Sequence, residues 1–93
     1  MADTAVIKPL TSVETPNTST TTTFGGNKLV RLTHAGAAGT HHVITCTDAD
    51  SAVRWTIALT GGQDILLEKE PTDTITSNAG DTSITGTAVA FLN

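Results

Sequence analysis

Ninety-three residues give room for one hydrophobic core, and nine acids against five bases leave a formal charge of −4. The bases Lys8, Lys28, Arg31, Arg54 and Lys69 are scattered, which argues against the basic face of a nucleic-acid reader. Twenty threonines, two Phe, one Trp and no Tyr point to an all-β chain whose core is built from Val, Ile and Leu.

Residues 1–19 carry Pro9 and Pro16 among small polar residues, with one extended piece around Ala5–Leu10. This segment is expected to form an N-terminal arm ahead of a single domain over 20–93. The run Ser19-Thr20-Thr21-Thr22-Thr23-Phe24 reads as an edge strand, because threonine has strand preference where serine or glycine would make a linker. A glycosylated or disordered stalk is the other reading. Gly25-Gly26-Asn27 is a turn, and Lys28–Thr33 a strand. After the small residues of Gly36–Gly39 comes a strand over His42–Thr47, then the polar turn Asp48-Ala49-Asp50-Ser51.

Val53–Thr60 alternates most cleanly. Val53, Trp55, Ile57 and Leu59 share a face that is expected to point inward. Gly61-Gly62 leaves a link to Gln63–Lys69 short enough for a hairpin. Pro71 cannot donate a ladder hydrogen bond, so the strand ends before it. Thr74–Thr76, Ser83–Thr85 and Thr87–Leu92 read as further short strands. Seven or eight strands at intervals near ten residues predict an antiparallel β-sandwich, Ig-like or jelly-roll-like.

Candidate chemistry is thin. Glu68, Glu70 and Asp73 flank Lys69 and Pro71, and paired carboxylates can divide acid and base roles. Around a surface turn with no histidine beside them, they read as solvated charges. His34, His41, His42 and Cys46 are the soft-ligand candidates, yet neither a CxxC nor an HxxxH pairing occurs. Cys46 is expected to pack as a small apolar side chain beside Trp55 or Ile57. Asp48 and Asp50 lack the further ligands of a calcium loop. No nucleophile elbow, phosphate loop or dinucleotide fingerprint is present, so no enzyme activity, cofactor or metal is expected. A lone cysteine, the absence of a signal-peptide pattern in Met-Ala-Asp-Thr and the lack of an apolar run near the ~20 residues of a membrane span imply folding in a reducing cytoplasm, away from membranes.

The chain resembles small virion structural proteins of marine tailed bacteriophages, especially cyanophages. The resemblance lies in Lys28–Thr33 after the Thr-rich opening, in Trp55–Leu59 leading into Leu66-Leu67-Glu68, and in Lys69–Ile75 followed by Thr87–Phe91. It implies a head decoration or cement protein that binds the major capsid protein on the capsid surface, after folding in the host cytoplasm. A tail-fibre or adhesin-type β-sandwich is the alternative. A domain this small gains stability from neighbours, and a homo-oligomer, a trimer, is expected. Val6, Ile7 and Leu10 on the arm, and Phe24 at the end of the expected edge strand, are the interface candidates.

Overall fold

The computed structural model describes residues 6–92 and consists of seven strands in two antiparallel sheets. The strands are β1 (Val6–Pro9), β2 (Leu29–His34), β3 (His41–Thr47), β4 (Val53–Thr60), β5 (Asp64–Glu68), β6 (Thr74–Ser77) and β7 (Ile84–Leu92). One sheet runs β1-β7-β2-β5 and the other β4-β3-β6. Together they form the sandwich that the alternation implies, open at its sides because each sheet keeps two edge strands.

Period-two burial explains the core. Val30, Leu32 and His34 of β2 point inward, as do Ile84 and Ala88 of β7. Ile44 and Cys46 of β3, Leu59 of β4 and Ile75 of β6 face them from the other sheet. Ser83–Thr85 and Thr87–Leu92, expected as two strands, are a single one, and Gly86 lies within it. A Cβ there would come 2.5 Å from Leu32 Cδ2 and 2.9 Å from Phe24 Cζ. The missing side chain makes room for the Phe24 ring.

Phe24 is therefore wholly buried in the core, and the expectation that it sits at an exposed edge is corrected. The Thr run forms no strand. Thr22 makes a single bridge to Ile75, its hydroxyl accepts from the Phe24 N–H at 2.9 Å and donates to Glu14 at 2.7 Å, and a 3₁₀ turn follows at Phe24–Gly26. Threonine hydroxyls here satisfy the backbone of a bend that swings the ring inward.

The expected arm is corrected as well. Val6–Pro9 pairs with Leu92–Val89 of β7, and Glu14 exchanges backbone hydrogen bonds with Gly86. Pro16 is buried, and its carbonyl accepts from the Ser77 hydroxyl at 2.8 Å. Residues 6–19 thus wrap their own domain. Residues 1–5, which share the expected arm, lie outside the described residues.

Two differences concern β4. First, β4 pairs with β3 and β5 pairs with β2, so the expected hairpin is not made. The turn at Gly61-Gly62 instead carries the chain from one sheet to the other. Second, Val53 is 61% exposed. The β3–β4 register shifts between Cys46, opposite Trp55, and Thr47, opposite Val53. Arg54 is the extra residue of that bulge, and the parity flip turns Val53 outward. Trp55 and Ile57 are half-buried against the core.

The crossing turn is tight. A Cβ on Gly61 would stand 2.0 Å from the Ala37 carbonyl oxygen, a backbone atom that cannot swing away. Gly61→Ala is expected to cost about 2–3 kcal/mol as overpacking, read as a lower urea midpoint with unchanged slope.

Candidate functional site

The most charged stretch of the chain is not a solvated turn throughout. Continuing the inward parity of Ile65 and Leu67 brings Lys69 to the inner side of β5, where it is 4% exposed. Its ammonium donates to the carbonyls of Glu70 at 3.2 Å and Pro71 at 3.5 Å. Asp73 is wholly buried. Its carboxylate accepts from Arg54 Nε at 2.9 Å, from the Glu70 N–H at 3.1 Å and from the Cys46 thiol at 3.6 Å. The bulge is what lets Arg54, on the β4 edge, reach it.

Electrostatics follow from this packing. Burial alone would raise the Asp73 carboxyl, but Arg54, the Glu70 N–H and the Cys46 thiol outweigh burial and hold it below its ordinary 3.8. Burial, reinforced by the Asp73 charge, pushes the Cys46 thiol up to about 11. The thiol stays protonated and unreactive at neutral pH. Burial lowers the Lys69 ammonium, with Asp73 opposing. Glu68, Glu70 and Pro71 remain exposed. The cluster ties the β5–β6 turn to the β4 edge; it is a clasp, and its groups are occupied with one another.

The histidines meet at one end of the sandwich. His34 is buried, accepts the Gly36 N–H on Nδ1 at 2.9 Å, and stacks on His42 with ring centroids 4.9 Å apart. That acceptor role leaves the proton on Nε2, which is buried and has no hydrogen-bond partner among the described residues. Burial first, then His42 and His41, lower the His34 pKa, with Asp81 opposing. His42 and Cys46 share a strand face as expected, yet among the described residues no three His, Cys, Asp or Glu side chains gather closely enough to hold a metal ion. Cys46 sits in register with Trp55.

The outer face of the four-stranded sheet carries a run of apolar side chains. Antiparallel partners share a face, so Pro9–Val89 and Ile7–Phe91 lie across β1 and β7, and Thr87–Arg31–Leu66 crosses β7, β2 and β5. A groove of about 370 Å³ runs here between Ile7, Pro9, Val13, Val89 and Arg31. Phe91 is 46% and Val13 65% exposed beside it. Arg31 pairs with Asp64 at its margin. Of the interface candidates, Ile7 lines this groove and Leu10 is exposed. Val6 contributes backbone pairing to Leu92. Phe24 is elsewhere, in the core.

In comparisons with known proteins, the chain matches no family model, no curated protein and no solved structure.

Proposed function

We propose that this chain is a bacteriophage virion structural protein, a decoration or cement protein that stabilises the head lattice through protein–protein contacts. The carrying observation is the outer face of the four-stranded sheet, where Val13, Leu66 and Phe91 are exposed and Ile7 is partly so, beside a shallow groove floored by the buried Val89. Surface of this kind, flanked on β5 by the Arg31–Asp64 ion pair and Glu68, suits docking on another protein. The sequence resemblance supplies the class of partner, the major capsid protein. On this reading the protein acts as a homo-oligomer at the capsid surface and performs no catalysis.

Cosedimentation with purified phage heads that lack the protein tests the reading. Val13→Asp and Phe91→Asp are each expected to weaken head binding by at least about tenfold, because a desolvated carboxylate is placed in the contact. Both side chains are exposed, so the melting temperature should hardly move. Unchanged head binding by the double variant, or wild-type protein that ignores heads and binds a cell-surface glycan, would overturn the proposal in favour of an adhesin.

A further inference from the structure

β4 and β5 are the edges of their sheets on the same side of the sandwich, joined by the crossing turn but not hydrogen-bonded to each other. Each leaves a row of unpaired backbone groups. Neither edge is blunted by a proline. Between them the core is incompletely covered: Trp55 and Ile57 of β4, and Ile65 and Leu67 of β5, are half-buried hydrophobics packed against it. At the far end of this seam a cleft of about 150 Å³ lies between Trp55, Glu68 and Asp73.

We infer that this seam is a self-association surface, in which β4 of one copy pairs antiparallel with β5 of a second. The inference rests on the homo-oligomer part of the proposed function and sets the pairing at two copies, where a trimer was expected from the sequence. A two-fold axis along the seam would superpose the two contacts, β4 on the partner's β5 and β5 on the partner's β4. The four edges that flank the seam, β4 and β5 of each copy, are then covered in one closed, self-complementary interface, while β1 and β6 remain at the outer edges.

Charge and register favour this pairing over the others. Val53–Thr60 carries one charge, Arg54, and Asp64–Glu68 carries two, both acidic. Pairing β5 with its own copy in antiparallel register would oppose Asp64 and Glu68, which is destabilising. Pairing β4 with β4 would leave β5 open. In the mixed pairing, setting Trp55 against the partner's Leu67 also sets Ile57 against the partner's Ile65 on the inner face. The same register places Thr56 against the partner's Leu66 on the outer face and Arg54 beside the partner's Glu68. It is the register a hairpin about Gly61 would have had within one chain, and the fold leaves it unmade.

The test uses the full chain. A Thr56→Cys chain and a Leu66→Cys chain are mixed under oxidised glutathione; both positions are exposed, whereas Cys46 is buried. Directly opposed residues fall within disulfide reach, so the mixed dimer should exceed either self-linked product by about tenfold. Sedimentation should show a wild-type dimer. Thr56→Glu, aimed at the acidic edge, should weaken it by about tenfold, and adding Leu66→Lys should restore it. Predominant self-linked product, or wild-type protein that sediments as a monomer throughout, would overturn the inference. Head binding by such a monomer would leave the virion reading standing. A cross-linked dimer that ignores heads would do the reverse.

Discussion

Phe24→Ala is expected to lower the unfolding free energy by about 3–5 kcal/mol, the usual cost of truncating a fully buried aromatic. Small domains are stable by only about 5–15 kcal/mol in total, so this takes a large share. Phe24 also adopts a positive φ of 52°, a conformation a side-chain-bearing residue enters only when its surroundings hold it there. Alanine keeps that backbone cost and loses the ring contacts that offset it. Guanidinium unfolding would measure the loss. Gly86→Ala supplies a cross-check, because its new Cβ would press on the Phe24 ring as well as on Leu32. In the Phe24→Ala background the glycine change should cost less than in the wild type, and simple additivity would show that the ring is not what the glycine accommodates.

Asp73→Ala should lower the melting temperature by more than about 10 °C. The change strands Arg54, the Glu70 N–H and the Cys46 thiol, whose shared acceptor it removes. The same carboxylate predicts acid sensitivity with a defined direction. Its folded pKa lies below 3.8, so an unfolded chain binds the proton more readily. The stabilisation is present above 3.8 and is lost as pH falls through the folded value. His34 adds an earlier loss: its folded pKa is below 6.5, so stability declines as pH drops from 6.5 toward that value. Melting curves across pH should show both declines. Asp73→Asn should remove the lower one and His34→Gln the upper. A wild-type melting temperature that stays level from pH 7 to about pH 3 would contradict both assignments.

Local alternation was enough to find most strands. Val53–Thr60 has the bounds that its period implies, and Lys28–Thr33, His42–Thr47 and Thr74–Thr76 are displaced or shortened by one residue at an end. What escaped depends on partners distant in sequence. Nothing near Gly61 says that β5 leaves β4 for β2, because both alternatives satisfy the turn. The Thr run has the composition of a strand, but its role is set by Glu14 and Ile75, eight and fifty-three positions from Thr22. Two signals were legible and could have carried more weight. A glycine inside the last strand pattern marks a close approach, here of the Phe24 ring. Lys69 continues the inward parity of Ile65 and Leu67, which already places its stem inside the sandwich. The outer-face groove had no sequence signal beyond Ile7, since residues 11–13 close it only after the chain has folded back.

The position of β7 bears on when the protein can fold during its synthesis. The last of the described strands to be synthesised, β7, is an inner strand of its sheet, with β1 on one side and β2 on the other. Until residues 84–92 have left the ribosome, β1 has no ladder to join and β2 lacks its central neighbour. The three-stranded sheet can pair earlier, but its apolar face would then look onto an incomplete layer. Nascent chains should therefore stay protease-sensitive until that final strand emerges, and then close in one cooperative step. With strand pairings this distant along the chain, that step should be slow for a protein of this length, leaving a window in which chaperones or sister chains meet its open edges.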